Sequence, residues 1–442
     1  MGAFAGAASG PEGGPAAQGP DYSLAPLVLF WEVTRACALK CLHCRAAAQP
    51  FRHPLELTLQ EGFRLLQDIA SFEPRPVLVL TGGDPFMRPD LLDLVAYSLS
   101  LGLRTALSPS ATRLVTRHAL QRLRALGLSR ISFSLDGPSP QVHDAFRGVR
   151  GSFLRTVECI RDALDAGLSL QVNTTVSRHN VRDLPRIADF LLSFAPRLLL
   201  WDLFFLVPTG RGRREDLLSP EEHEGVYNWL YTLAREVPFR IKTTLGQHYR
   251  RVYIQRAAAE GQDPRQAWRE MAMAATNDGK GVCFVSHIGE VYPSGFLPLP
   301  CGNVREQSVV SIYRTSPVFQ ALRDPARLKG KCGRCPFKTV CGGCRARATP
   351  APGTTCRRTL PVCSSQREAG TWAQPGEMRG AAVFGPSLTA LEKPPWPGTG
   401  DSSASGAGTG GSSLGPGPPP TSPAWVMAPQ GRRTLRTGPP AR

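Results

Sequence analysis

The sequence predicts an α/β protein: a partial (β/α)6 barrel followed by a small cysteine-rich domain, with disordered N- and C-terminal extensions. Three observations predict it. Short β-branched or apolar runs alternate with longer segments of helical period, the pattern of a βα repeat. A glycine punctuation recurs at Leu101-Gly102-Leu103, Leu126-Gly127-Leu128 and Ala166-Gly167-Leu168, each time where a helical pattern gives way to a strand pattern. The 12 cysteines are clustered, three within 37–44 and eight within 283–363, with only Cys159 apart.

Taken in order, residues 1–24 are rich in Gly, Ala and Pro and cannot build a core. Residues 27–33 read as the first strand. Residues 58–70 read as a helix opened by a capping box, in which Thr58 and Glu61 satisfy each other's backbone donors. Residues 77–81 are the second strand. Helices follow at 90–101 and 116–126, each closed by a glycine, Gly102 or Gly127, that can take the left-handed stop conformation. Strands at 104–108, 130–135 and 170–176, a helix at 184–194 and a strand at 198–205 complete about six units. The natural architecture is a parallel, partly closed, TIM-like barrel over 25–238, with catalytic groups at the C-terminal ends of its strands. Cys159 shares an apolar helix face with Phe153, Val157, Ile160 and Leu164 and reads as a small core residue.

After a helix around 220–236 the pattern changes to short strands, turns and cysteines, so a second domain is expected over 239–365. Gly289-Glu290 would be a hairpin tip between 284–286 and 291–292. From about 349 periodicity stops, and 366–442 reads as a low-complexity tail without a packed core. Its Gly/Ala/Pro/Arg/Ser composition is also what out-of-frame translation of GC-rich codons tends to give, so natural disorder and a shifted reading frame both stand.

Composition narrows the function. A chain of 442 residues with 42% hydrophobic content can bury a large core, and it has no basic start followed by an apolar run. It is not a disulfide-stapled secreted scaffold, and no apolar run reaches the ~20 residues of a membrane span. A reducing cytoplasm is the expected location. The net charge of +17 raises nucleic acid as a partner, but part of it sits in the Arg-containing tail, and no basic stripe is interleaved with aromatics.

The chemistry is carried by Cys37-Ala-Leu-Lys-Cys41-Leu-His-Cys44, which directly follows the first strand. Three thiolates at this spacing can bind three irons of a cubane and leave the fourth open, the difference between a reactive cluster and a closed electron carrier. The alternative, structural zinc, wants four ligands, and His43 lies too close to its neighbours to serve comfortably as the fourth.

This segment resembles the radical S-adenosylmethionine superfamily, whose core carries a CxxxCxxC loop after its first strand; the resemblance covers about 27–205. It implies that Cys37, Cys41 and Cys44 hold a [4Fe–4S] cluster. It also implies that the amino and carboxylate groups of S-adenosylmethionine chelate the open iron, and that reductive cleavage yields a 5′-deoxyadenosyl radical that abstracts hydrogen. Gly82-Gly83-Asp84-Pro85 looks like the family's Gly-Gly-Glu-Pro segment, which binds the cofactor's amino group; Asp84 shortens the reach by one methylene. Ser110, Ser134, Asp136 and Asn173 close the third, fourth and fifth strands and suit ribose hydroxyls and the carboxylate. His143-Asp144, Phe146-Arg147-Gly148 and Pro208-Thr209-Gly210-Arg211 resemble stretches recurring in the peptide- and tetrapyrrole-modifying branches, which makes Arg211 a further candidate.

Downstream, Cys332-Gly-Arg-Cys335 and Cys341-Gly-Gly-Cys344 are separated by five residues, with Cys283 and Cys301 upstream and Cys356 and Cys363 downstream. Zinc ribbons separate their knuckles by ~15–20 residues, so the tight spacing favours iron–sulfur chemistry. The run resembles the SPASM auxiliary-cluster module. That implies one cluster on Cys332, Cys335, Cys341 and Cys363, with Cys283, Cys301 and Cys344 left as an incomplete second set. The resemblance implies an enzyme acting on a peptide or a cofactor or tetrapyrrole precursor, supplied with electrons by a donor such as flavodoxin or ferredoxin. The rival is a non-catalytic iron–sulfur or zinc protein with a basic nucleic-acid-binding surface.

Overall fold

The computed structural model describes residues 20–273 and 275–348; most of the 1–24 extension, Cys356, Cys363 and everything beyond 348 lie outside the described residues. Strands β1 (Val28–Thr34), β2 (Val77–Gly82), β3 (Arg104–Leu107), β4 (Arg130–Ser134), β5 (Ser169–Val176), β6 (Leu198–Phe205) and β7 (Arg240–Thr244) pair in parallel in sequence order. They are joined through α1 (Leu59–Ala70), α2 (Leu91–Ser100), α3 (Arg117–Ala125), α4 (Pro140–Arg147), α5 (Ser152–Asp165), α6 (Leu184–Leu192) and α7 (Pro220–Leu233).

The local signals are realised. Thr58 and Glu61 form the capping box of α1, and Gly102, Gly127 and Gly167 all take positive φ, at 74°, 101° and 75°. Cys159 is fully buried in the main core. Gly62, at the end of the first turn of α1, is there for packing: a Cβ would stand 2.8 Å from Leu94 and 2.9 Å from the fully buried ring of Trp31. A helix-weakening glycine is tolerated because it makes room for the largest side chain of β1.

The parallel sheet does not stop at residue 239. Strand β7, which the hydrophobic pattern does not mark, has exposed Arg240 and Lys242 because it is hydrogen-bonded on one edge only. Helices α8 (His248–Ala259) and α9 (Pro264–Met273) follow, and β8 (Val282–Val285) then returns to pair in parallel with the other edge of β1, setting Cys283 opposite Leu29. Strands β9 (Glu290–Tyr292) and β10 (Gly302–Asn303) extend that edge antiparallel, giving the order β10-β9-β8-β1-β2-β3-β4-β5-β6-β7. Gly289, at φ 86°, turns the β8–β9 hairpin where the sequence places it. Short helices α10 (Val309–Thr315), α11 (Pro317–Arg323), α12 (Gly330–Arg334) and α13 (Arg345–Ala348) complete the described chain. No helix among the described residues is long and apolar enough to cross a membrane.

Candidate active site

The parallel arrangement brings the C-terminal ends of β1 to β6 to one side of the sheet, and the cysteine loop leaves β1 on that side. Its ends are tied to each other: Cys37 N donates to Gln49 O at 2.8 Å, and Gln49 N donates to Arg35 O at 3.0 Å. Cys37 and Cys41 are buried and Cys44 half-buried, all three as free thiols. Burial pushes the thiols of Cys37 and Cys41 up, further than their hydrogen bonds pull them down, so both are neutral until a cation displaces their protons.

Three neighbouring segments press on this loop. At the end of β2, Gly83 N donates to Thr34 O at 2.9 Å and Asp84 N to Ala36 O at 2.7 Å; a Cβ on Gly83 would stand 2.3 Å from Ala36 O. At the end of α4, Arg147 O accepts from Lys40 N at 3.1 Å and Phe146 O from Leu42 N at 3.0 Å, while Gly148 (φ 68°) allows the close approach. After β6, Arg211 N donates to Cys44 O at 3.0 Å, Arg211 Nε to Cys41 O at 2.8 Å and Nη1 to Ala48 O at 3.1 Å. A Cβ on Gly210 (φ 61°) would lie 2.3 Å from both Cys44 O and Arg45 O, so only glycine admits this contact.

The sequence-predicted polar groups fall into two sets. Ser110 Oγ lies 3.5 Å from Cys37 Sγ and donates to Gly83 O at 2.8 Å. With Leu39, Ser134, His143, Arg147 and Thr156, it lines a cavity beside the cysteine loop. Asp84 and Asp136 instead turn inward. Asp84 is fully buried; its Oδ2 accepts from Thr112 Oγ1 at 2.6 Å and its Oδ1 from Phe86 N at 3.2 Å, and burial raises it to about 6. Asp136, also fully buried, accepts from Thr175 N at 2.7 Å and pairs with Arg147 Nη2 at 2.5 Å. Burial pushes Asp136 up and also works against the charge of Arg147, yet the Asp136 carboxylate holds Arg147 above its ordinary value. We read the pair as ionised, because a guanidinium does not deprotonate in proteins. Asn173, opposite Ser134 across β4 and β5, accepts from Gln171 Nε2 at 2.8 Å.

His43, between Cys41 and Cys44, stacks on Phe146 at 4.4 Å; burial, then Arg147 and Arg211, hold it well below its ordinary value and hence neutral. His143 is likewise neutral, brought down to about 3 by burial and then Arg147, and its Nδ1 accepts from Asp136 N. Sequence reasoning missed one network. Glu32, buried on β1, pairs with Arg45 at 2.9 Å and His287 at 2.9 Å, and Arg45 lies over the rings of Phe284 and Phe296. Burial pushes Glu32 up, but Arg45 and His287 outweigh it and hold it below the ordinary value. The network binds the residue after Cys44 to the β8–β9 hairpin, and its signal was a lone charge inside an apolar strand.

Four buried atoms around the loop, His43 Nδ1, Asp136 Oδ2, Arg147 Nε and Arg211 Nη2, have no hydrogen-bond partner among the described residues, Asp136 Oδ2 meeting Arg147 only as an ion pair. Polar atoms so placed fit a polar or anionic group at the loop. Among the described residues no three Cys, His, Asp or Glu side chains are close enough together to hold a single metal ion. A cubane would ask for something different, one thiolate for each of three irons, and the loop's soft, buried donor set suits that.

The C-terminal cysteines are organised differently. Burial pushes the Cys341 thiol up to about 11, with Cys335 and Cys332 close enough to add to the effect, so these three share one neighbourhood. Gly342 and Gly343, each at φ 65°, fold the chain back so that Gly343 N donates to Cys341 Sγ at 3.4 Å, and a Cβ on Gly343 would lie 3.0 Å from Cys332 Sγ. Cys283 and Cys301 are mutual neighbours in the main core, Cys301 raised to about 11 by burial. Cys344 packs in a separate cluster with Val207, Leu245, Leu297 and Ala346.

Residues 31–191 match the family model of the radical SAM superfamily, and 277–336 match that of SPASM, an iron–sulfur cluster-binding domain. The chain is 40% identical over 332 residues to an AdoMet-dependent heme synthase of Methanosarcina barkeri, covering 74% of this chain and 94% of that protein. It is 31% identical over 334 residues to an Fe-coproporphyrin III synthase of the same organism, covering 72% and 82%. The mycofactocin maturase MftC of Mycobacterium tuberculosis is 29% identical over 331 residues, covering 73% and 79%. The crystal structure of SuiB from Streptococcus suis bound to S-adenosylmethionine has the same fold, with a TM-score of 0.57, 17% identity and 74% of each chain covered.

Proposed function

The chain belongs to the radical S-adenosylmethionine enzymes that carry a SPASM domain, and from that premise we propose that it acts on a tetrapyrrole precursor in heme synthesis. Membership makes it an enzyme using a [4Fe–4S] cluster, S-adenosylmethionine and an auxiliary iron–sulfur cluster, and removes the non-catalytic rival. The observation that carries the finer reading is the 40% identity to a heme synthase over 94% of its length, against 29% to a peptide maturase over 79%.

Cys37, Cys41 and Cys44 are the residues we assign to three irons of the catalytic cluster. When bound, that cluster supplies the electron that cleaves S-adenosylmethionine, and the resulting 5′-deoxyadenosyl radical takes a hydrogen atom from the substrate. The chain's own part is placement. The segments after β2, α4 and β6 hold the loop from three sides. The cavity lined by Ser110, Ser134 and His143 adjoins it and suits the cofactor's polar groups. Asp84 and Asp136 act as ordering groups behind that surface, because Thr112, Phe86 and Thr175 donate to their oxygens and Arg147 forms an ion pair with Asp136.

Cys332, Cys335 and Cys341 are assigned to the auxiliary cluster, with Cys363 from outside the described residues as the candidate fourth ligand. We assign electron supply to a flavodoxin- or ferredoxin-type donor and the location to the cytoplasm. The test is anaerobic incubation of the reconstituted protein with S-adenosylmethionine, dithionite and Fe-coproporphyrin III, with products read by mass spectrometry. Heme formation with 5′-deoxyadenosine is expected. Abundant 5′-deoxyadenosine with the porphyrin unchanged would move the substrate to the peptide class.

A further inference from the structure

The three sulfurs of the catalytic loop are not equivalently surrounded. Cys37 Sγ receives Leu39 N at 3.4 Å and faces the Ser110 hydroxyl; Cys44 Sγ receives Ala48 N at 3.4 Å. Cys41 Sγ faces a cation, Arg147 Nη1 at 3.6 Å. The other end of that guanidinium, Nη2, forms an ion pair with Asp136 Oδ2 at 2.5 Å, without hydrogen-bond geometry. Arg147 is 9% exposed and Asp136 0%, so water screens this line of charges weakly.

The line is also rigidly built. The residues flanking Cys41 donate their amides to carbonyls at the end of α4, Lys40 N to Arg147 O and Leu42 N to Phe146 O. Asp136 is fixed from behind: its Oδ1 accepts from Thr175 N, its amide donates to His143 Nδ1, and its carbonyl accepts from Asn180 Nδ2 at 2.9 Å. A guanidinium held from both directions points one N–H at one sulfur.

We propose that the buried Asp136–Arg147 pair sets the reduction potential of the catalytic cluster through Cys41, the guanidinium favouring the reduced cluster and the carboxylate opposing it. Hydrogen bonds to the sulfurs and nearby charge are the levers a protein holds over such a cluster. Reduction by one electron from the external donor adds a negative charge, which a cation at Cys41 Sγ stabilises and an anion behind that cation destabilises. Arg147 and Asp136 are thus positioning residues of opposite sign. The inference rests on the assignment of Cys41 as an iron ligand.

The experiment is an EPR-monitored redox titration of the full-length reconstituted holoenzyme, following the cluster signal that changes when S-adenosylmethionine is added. Arg147→Met should lower the midpoint, cutting the reduced-to-oxidised ratio at a fixed potential about tenfold, or about 59 mV for one electron. Asp136→Asn, nearly isosteric and still able to accept from Thr175 N, should raise the midpoint by a comparable step. Arg147→Lys, which keeps the charge but loses the fork, should fall between wild type and Arg147→Met.

A purely structural pair would lose iron in both variants or shift both midpoints in the same direction, and either result overturns the proposal. Unchanged midpoints with full iron also overturn it. Should Arg147→Met fail to hold its cluster, Asp136→Asn and Arg147→Lys decide by the same signs. Failure of the underlying assignment looks different: the wild type would then show no S-adenosylmethionine-responsive signal, or Cys41→Ala would keep it.

Discussion

The two cysteine regions gather their thiols by opposite means. The loop after β1 is held through its backbone by segments from three other parts of the barrel, and the acids and bases near its sulfurs are matched, Asp136 against Arg147. The region from Cys332 to Cys344 depends on its own short turns: α12 has five residues and α13 four, and two consecutive left-handed glycines bring Cys341 back towards Cys332. Its charge is one-sided. Between positions 323 and 347 there are eight cations, Arg323, Arg327, Lys329, Lys331, Arg334, Lys338, Arg345 and Arg347, and a single acid, Asp324. The barrel loop is thus braced from three sides around a matched buried pair, whereas the C-terminal run carries a surplus of positive charge, which would suit the net negative charge of a thiolate-bound cluster.

Breaking each region separately should show that they are independent. The largest effect is expected from Cys332→Ala, Cys335→Ala and Cys341→Ala together. That variant should lose the auxiliary iron and keep the S-adenosylmethionine-responsive EPR signal; loss of both would mean that the C-terminal region holds the barrel loop in shape. Gly210→Val sharpens the contrast from the other side. A Cβ there would meet two carbonyls at 2.3 Å on a backbone at φ 61°, so the loop must shift. We expect catalytic iron to fall several-fold while auxiliary iron is retained, as counted by iron analysis and EPR.

A smaller effect concerns pH. Asp84 is raised by burial from 3.8 to about 6, so the folded state binds a proton that the unfolded state has released. Its contribution therefore falls as pH rises through the window from about 4 to about 6, by up to about 3 kcal/mol, and is level above it. Asp84→Asn should remove that slope. Denaturant midpoints of the two proteins between pH 4 and 7 would show it, and parallel pH profiles would mean that the carboxylate is ionised throughout in the folded state. Smaller still is Gly62→Ala, where overpacking against Trp31 and Leu94 opposes the gain in helix propensity; a net loss of about 1 kcal/mol or more is expected from thermal unfolding.

What the sequence made legible was local. The capping box at Thr58, the left-handed glycines at 102, 127 and 167, and the strand limits at 198–205 each depend on residues close together in the chain. Strand β7 was not legible because an edge strand with Arg240 and Lys242 lacks the buried pattern of its neighbours. The polar strand ends were visible as candidates, yet the roles of Asp84 and Asp136 depend on Thr112 and Arg147, whose positions only the fold determines. Arg147 drew notice as part of Phe146-Arg147-Gly148, but a short motif cannot show which sulfur an arginine faces. Glu32 carried a signal that periodicity analysis passes over, a buried charge in an apolar strand whose partner lies 255 residues away at His287.

We assign the cluster that cleaves S-adenosylmethionine to Cys37, Cys41 and Cys44, separately from the C-terminal iron. Its most direct test compares wild type with the Cys37→Ala, Cys41→Ala, Cys44→Ala triple variant after anaerobic reconstitution, counting iron per chain and measuring 5′-deoxyadenosine formed under dithionite. The variant is expected to lose about four irons per chain, keep the remainder and make no 5′-deoxyadenosine above the no-enzyme control. A variant that keeps all its iron and still cleaves S-adenosylmethionine would contradict it.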